Sequence, residues 1–211
     1  MSNKKDTVQV ESVELANSVS TAAQPLAKKS WFRDILDYAE MIVFALCFVI
    51  LLFSFGFRIC TVSGPSMENT LFHGEQLVIS DVFYEPKRND VVVFHHLGNL
   101  KEPVVKRVIA VAGETVSIDY TMTSMTVTVT SADGKTTQVL EEPYMYYDTD
   151  SIRFLNDATF VVGEEQLFVM GDNRNHSTDS RSQEIGLVDT RFVLGKVLFR
   201  IAPLARFGAI N

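Results

Sequence analysis

Residues 104–112 read VVKRVIAVA. Val and Ile lose rotamer freedom in a helix and pack well on a pleated surface, so the run predicts a strand. Period-two, β-branched segments extend this reading in both directions. Residues 77–82 and 90–94 precede it, and 115–119, 125–130, 136–140, 166–170 and 192–201 follow. Ser131-Ala132-Asp133-Gly134 lies between two Thr/Val-rich stretches and signals a hairpin turn. No amphipathic helix of useful length and no internal repeat interrupts the series. The region 59–211 is therefore expected to be mainly β, with a more polar lobe or flap near 121–157.

Upstream the pattern changes. Met41 to Phe57 reads MIVFALCFVILLFSFGF and carries no charge. About 17 such residues sit near the lower limit for crossing a bilayer, and about 20 are reached if Tyr38 and Ala39 join at the interface. A span over about 38–57 is expected, inside an anchor with flanks at 29–58. A cleavable leader would start near residue 1 and end in small residues, whereas here a long polar stretch precedes the block and Gly56-Phe57-Arg58 follows it. A buried core helix would show a polar stripe, and this segment has none. Lys28, Lys29 and Arg33 lie before the block and only Arg58 closely after it. This asymmetry puts the N-terminus in the cytoplasm and the β region outside, because Asp34, Asp37 and Glu40 count little in that rule. Trp31 and Phe32 stand where an aromatic belt would sit. Residues 1–28, polar and without a sustained apolar period, read as a disordered cytoplasmic tail.

The formal net charge of −7 argues against a nucleic-acid partner, which would need a basic face. The two cysteines, Cys47 and Cys60, would be about 20 Å apart along a helix, too far for a disulfide.

Three local segments carry chemistry. In Ser63-Gly64-Pro65-Ser66-Met67-Glu68-Asn69-Thr70-Leu71 the Gly-Pro pair forces a turn that presents Ser66 at a bend, as a nucleophile requires. In Val104-Val105-Lys106-Arg107-Val108-Ile109 the lysine shares a strand face with Val104 and Val108. If that face is buried, desolvation disfavours the ammonium. A base working near pH 7–8 would need its pKa brought down from about 10.4, at roughly 4 kcal/mol. The other reading places Lys106 on the solvent face. In Gly171-Asp172-Asn173-Arg174-Asn175-His176-Ser177-Thr178-Asp179-Ser180-Arg181 polar groups are dense enough to cross-brace a loop. A calcium loop is disfavoured by Arg174 and Arg181 and by the missing terminal glutamate.

In this order, after an N-terminal anchor, the three segments resemble the boxes of type I signal peptidases. Arg88-Asn89-Asp90-Val91-Val92-Val93-Phe94 is similar to that family's Gly-Asp-Ile/Val-Val strand, with Asn in place of Gly. Gly195-Lys196-Val197-Leu198-Phe199-Arg200-Ile201 with Pro203-Leu204 resembles the ending of its Gram-positive members. The resemblance implies a signal-peptidase-like antiparallel sheet domain behind a single transmembrane helix. It implies a membrane-bound serine endopeptidase that removes signal peptides from exported preproteins through a Ser-Lys dyad, a variant of triad logic. Ser66 would be the nucleophile and Lys106 the general base. The Ser66 backbone N–H and the Ser63 hydroxyl would hold the oxyanion. Ser177 would orient the Lys106 amine, Asp179 with Arg181 would brace the site, and Asp172 and Arg174 would hold the loop. The implied partners are signal peptides, the lipid bilayer and the secretion machinery, with no cofactor or metal. The substrate strand would lie along a sheet edge, small residues filling pockets one and three positions before the cut. Departures from the family pattern are Asn69 where Pro is usual, and Ala110, Ala112 and Glu114 in the lysine box.

Other readings stay open on sequence alone. A sortase-like enzyme would use Cys60 as nucleophile, although Cys60 lies close to the anchor. His95, His96 or His176 could serve Ser66 in a Ser-His arrangement. A LexA-like self-cleaving repressor shares Ser-Lys chemistry but would need a DNA-binding domain where the tail and anchor stand. An inactive homologue that binds leader peptides or partner proteins would have lost one of the reacting residues.

Overall fold

The structure, a computed structural model, describes residues 31–95, 102–121, 124–147 and 157–210. The expected tail 1–28, His96 and residues 148–156 of the expected lobe lie outside the described residues. The chain divides between Val49 and Ile50 into two units. Helix α1 (Trp31–Gly56, 26 residues) runs through that division. Trp31, Ile42, Phe44, Phe48 and Ile50 on it are all at least 60% exposed. Among the described residues no helix is long and apolar enough to cross a membrane. Asp34, Asp37 and Glu40 lie on the N-terminal half of α1, and the sequence is free of charge from Met41 to Phe57.

Every strand belongs to the second unit: β1 (Arg58–Thr61), β2 (Gln76–Ser80), β3 (Val91–Phe94), β4 (Val104–Ala110), β5 (Thr115–Tyr120), β6 (Met125–Thr130), β7 (Thr137–Val139), β8 (Ala158–Val161), β9 (Gln166–Met170), β10 (Val188–Asp189), β11 (Val193–Ala202) and β12 (Gly208–Ala209). They form an eight-stranded sheet in the order β1-β2-β11-β3-β4-β9-β10, with β12 on β11, and a four-stranded sheet β7-β6-β5-β8. The pairings are antiparallel throughout. The second sheet begins before the lobe expected at 121–157 and ends after it, because β5 and β8 supply its other edge.

β4, the run on which the sequence reading turned, lies between β3 and β9. All four residues of β3 are buried, as are Lys106 through Ala110 of β4, so these strands are covered on both faces. One apolar cluster joins the two sheets through Ile109, Val116, Val127 and Phe168. A second packs Met67 and Leu71, from the segment around Ser66, against Leu77, Ile79, Val91 and Val197. A third gathers Val92, Phe94, Val108, Val169 and Val188. Thus the Ser66 segment is buried into one core from its own flanking side chains. The eight expected strands are present with ends moved by at most two residues. The structure adds β1, β8, β10 and β12, each of four residues or fewer, to the eight strands expected from the sequence.

Two of the sequence departures have a backbone explanation. Asn89 has φ +72, a left-handed conformation that Gly adopts freely and Asn tolerates. Glu114 N–H donates to Val111 O at 3.1 Å, and Gly113 between them has φ +82, which is a type II turn with Ala112 at its second position. Pro is favoured there because its fixed φ matches. Ala112 is exposed, and no backbone acceptor takes its N–H among the described residues. Ala112→Pro is therefore expected to raise stability by about 0.4–1 kcal/mol, by narrowing the unfolded ensemble. Gly113→Ala should lower it, since the added methyl would meet Ala132 Cβ at 2.8 Å. Denaturant midpoints of the two variants check both signs.

Candidate active site

Pro65 to Leu71 form a short helical turn closed by Glu68 N–H to Pro65 O at 3.0 Å and Leu71 N–H to Met67 O at 2.7 Å. The turn buries Met67 and Leu71 and leaves Ser66 half-buried at its start. Asn69 within it has φ +76. Proline cannot adopt that angle, so this turn is built on a left-handed Asn where the resemblance would place Pro.

The structure brings Ser66 and Lys106 together. Lys106 is 3% exposed, and its Nζ lies 2.7 Å from Ser66 Oγ and 3.1 Å from Val105 O. Burial lowers its pKa, Asp179 and Asp172 pull it back up, Arg181 lowers it again, and the outcome is about 8. Below that value the ammonium donates to Ser66 Oγ; above it the neutral amine accepts the hydroxyl proton. The folded pKa is depressed, so protonated Lys106 opposes folding and the penalty, on the order of 3 kcal/mol, is relieved as pH rises above about 8.

A buried scaffold holds this pair. Arg107, adjacent to the lysine, donates Nε to Asp172 Oδ1 at 2.9 Å and Nη2 to Oδ2 at 2.8 Å. Both side chains are 1% exposed. The Arg107 guanidinium also donates to Asn89 O and lies 3.9 Å from the centre of the Tyr144 ring. Thr70 on the Ser66 turn donates to the same Asp172 carboxylate. Asn173 N–H donates to Ser66 O at 3.1 Å. Asp172 and Asn173 thus tie the turn of Ser66 to the strand of Lys106.

Asp179 accepts from Gly171 N–H at 3.0 Å and from Arg181 through Nε and Nη2, both at 2.8 Å. Burial alone would raise the Asp179 pKa, but the Arg181 contact outweighs it and the carboxyl titrates below its usual range. Arg174 pairs with Glu142 and donates Nε to Gly171 O at 3.0 Å. Ser177 is placed beside Gly171, and its buried hydroxyl has no hydrogen-bond partner among the described residues. It makes no hydrogen bond to Lys106. Ser63 is exposed and lines, with Ser66, Lys106 and Val104, an open groove of about 520 Å³. The Ser66 N–H donates to no acceptor among the described residues.

The rival nucleophile and base are placed differently. Cys60 sits on β1, and burial raises its thiol pKa, the reverse of what a reactive thiolate needs. His95 follows β3 and is exposed. His176 lines the groove, but the Ser66 hydroxyl is taken by Lys106. Among the described residues no group of His, Cys, Asp or Glu could hold a metal ion.

Sequence reasoning did not assign roles to Arg107, Thr70, Gly171, Asn173 or Glu142. An arginine beside a lysine in a buried strand was a signal for the first, since a buried cation needs a carboxylate. Glu142 carried none.

A family model described as "Signal peptidase, peptidase S26" matches residues 35–202. The chain belongs to that family. A signal peptidase IB of Staphylococcus aureus (strain COL) is 32% identical over 194 residues, covering 83% of this chain and 93% of that one. A probable signal peptidase I-1 of Synechocystis sp. is 31% identical over 193 residues, covering 85% and 89%. A crystal structure of a signal peptidase I from Enterococcus faecalis V583 aligns with 28% identity and a TM-score of 0.39, over 54% of this chain and 97% of that one. The chain is thus a type I signal peptidase, a serine peptidase, and its own fold is mainly β. The peptidase S26 match contains Ser66, Lys106 and the whole 171–181 loop.

Two outcomes test this geometry. A methyl at Gly171 would lie 2.2 Å from Ser177 Oγ and 2.4 Å from Ser66 O, so Gly171→Ala should displace the Ser66 turn from Lys106 and cut peptidase activity by about 100-fold or more. Steady-state assays beside far-UV circular dichroism separate that loss from unfolding. Lys106 should titrate near pH 8, followed by the ¹³Cε shift of labelled lysine.

Proposed function

We propose that the protein is a membrane-bound endopeptidase that cleaves signal peptides from exported preproteins, with Ser66 as nucleophile and Lys106 as general base. The observation that carries this reading is the 2.7 Å contact between a hydroxyl on a fixed turn and a desolvated amine. In the reaction neutral Lys106 takes the Ser66 proton as Oγ attacks the scissile carbonyl, and an acyl-enzyme ester forms. The same amine, now protonated, delivers its proton to the leaving amine. It then activates the water that hydrolyses the ester. The negative charge that develops on the carbonyl oxygen is held by the Ser66 N–H and the Ser63 hydroxyl at the mouth of the groove. Asp179, fixed by Arg181 and by Gly171 N–H, orders the loop that carries Ser177, and Arg174 anchors the loop to Glu142.

The substrate chain lies extended beside the free edge of β4. That strand pairs with β9 only from Arg107 onward, so Val104 to Lys106 keep that edge open, and the groove runs along it. Small side chains before the cut fit between this edge and the 61–64 segment. The charge-free stretch Met41–Phe57 crosses the bilayer as a single span with the N-terminus in the cytoplasm, and residues 59–211 form the extracytoplasmic peptidase domain. Ser66 follows Phe57 by nine positions, at most about 30 Å of chain, which keeps the nucleophile near the outer membrane face where a signal peptide emerges beside the secretion machinery.

In a preprotein-cleavage assay, Ser66→Ala and Lys106→Ala should each abolish cutting, and Cys60→Ala should not. Lys106→Arg should fail as well, since a guanidinium stays charged. Activity should rise with pH through an apparent pKa near 8, as Lys106 becomes neutral. A flat profile from pH 6 to 10, or full cleavage by Lys106→Ala, would remove Lys106 as the base.

A further inference from the structure

The turn that carries Ser66 is gripped from two sides. The 171–181 loop holds it through Asn173 and Asp172. The other grip comes from β11 and the segment after it, which the reaction scheme does not use. Arg200 on β11 is 13% exposed at its side chain. Its Nη1 donates to Thr70 O at 3.0 Å, near the end of the turn, and to Glu75 Oε2 at 3.1 Å. Its Nε donates to Arg206 O. Glu75, itself 3% exposed, accepts Phe72 N–H at 3.1 Å through Oε2 and Arg206 Nη1 at 2.7 Å through Oε1. The Arg206 guanidinium lies 4.2 Å from the centre of the Phe72 ring. Beyond it, Ile210 is 7% exposed in the same core cluster as Met67 and Leu71.

We propose that Arg200, held by Glu75 and Arg206, is a positioning residue for Ser66, setting where the turn stands relative to Lys106. This rests on the Ser66–Lys106 reading above. Among the described residues, and apart from the Lys106 contact itself, the turn has three external polar anchors: Asn173 N–H at Ser66 O, Asp172 at the Thr70 hydroxyl, and Arg200 at Thr70 O. The first two belong to the loop that also fixes the Lys106 side of the site. Among the described residues Arg200 makes the polar tie between the turn and β11, beside the apolar packing of Met67 and Leu71 on Val197, and β11 lies two strands away from β4 in the sheet order. Without it the Thr70 carbonyl loses its donor and the turn can rotate about its remaining two anchors, drawing Ser66 Oγ from the amine. A planar guanidinium reaches Thr70 O, Glu75 and Arg206 O at once; an ammonium on a shorter arm cannot hold that fork.

The test measures kcat, KM and the pH profile of the full chain in detergent micelles, on a signal-peptide-derived peptide, for Arg200→Lys and Arg206→Gln. Ser66→Ala is run alongside as the control on the underlying reading. Positioning predicts that Arg200→Lys lowers kcat at least tenfold with KM within twofold, and displaces the alkaline-rising limb to higher pH as water reaches Lys106. Arg206→Gln, which releases one side of Glu75 at a partly exposed position, should show the same pattern at three- to tenfold. A lowered melting temperature with kcat and the limb unchanged would make Arg200 merely structural and overturn the proposal. Should Arg200→Lys fail to fold, an unchanged kcat in Arg206→Gln overturns it, and a kcat loss with a displaced limb sustains it. If Ser66→Ala still cleaves, the fault lies with the underlying reading, which this control separates from the role of Arg200.

Discussion

Arg107 and Asp172 form a two-point ion pair that is almost entirely out of water. Desolvating two charges is costly, and their attraction repays it only with good geometry and with the remaining hydrogen-bonding positions filled. Here they are filled: Asn89 O and the Tyr144 ring take the guanidinium, and Thr70 takes the carboxylate. Removing either partner would leave a stranded buried charge, at about 3–5 kcal/mol. Because Arg107 follows Lys106 directly and Asp172 also binds the Ser66 turn, this pair fixes Ser66 and Lys106 on a common frame.

That frame explains the depressed lysine. A lone buried ammonium would recover its ordinary pKa by swinging its four-carbon stem into solvent. Lys106 is kept inside by a strand covered on both faces and by the hydrogen bonds to Ser66 and Val105. Asp179 and Asp172 favour the ammonium, Arg181 offsets part of that influence, and burial outweighs both carboxylates. The Asp179–Arg181 pair therefore shapes the loop without returning the charge to Lys106. Two carboxylates and two arginines next to the site are arranged in matched pairs, so that burial dominates the titration of the amine.

Gly171 stands at the meeting point of these demands. Its N–H holds Asp179, its carbonyl receives Arg174, and the space a side chain would fill is occupied by Ser177 and by the Ser66 carbonyl. Close approach of three backbone segments is possible only without a Cβ. The left-handed Asn69 and Asn89 belong to the same logic, with a small polar residue serving where backbone shape, more than side-chain chemistry, is being specified.

Sequence alone determined the β class, eight of the strands, the hairpin at 131–134 and the residues with reactive groups, because periodicity and β-branched composition are local signals and the Ser, Lys and loop segments are each contiguous. It also placed Ser66 on a turn, since Gly-Pro dictates one. It could not say whether Lys106 faced core or water, because a strand in isolation has two equivalent faces and only its neighbours β3 and β9 decide which is covered. The pairing of Arg107 with Asp172, of Arg174 with Glu142 and of Arg200 with Glu75 was equally hidden, each joining residues at least 32 positions apart. Such contacts are chosen by sheet order and register, which emerge only when the strands assemble. The chemistry was written locally, and the distance of 2.7 Å that makes it usable was set by the fold.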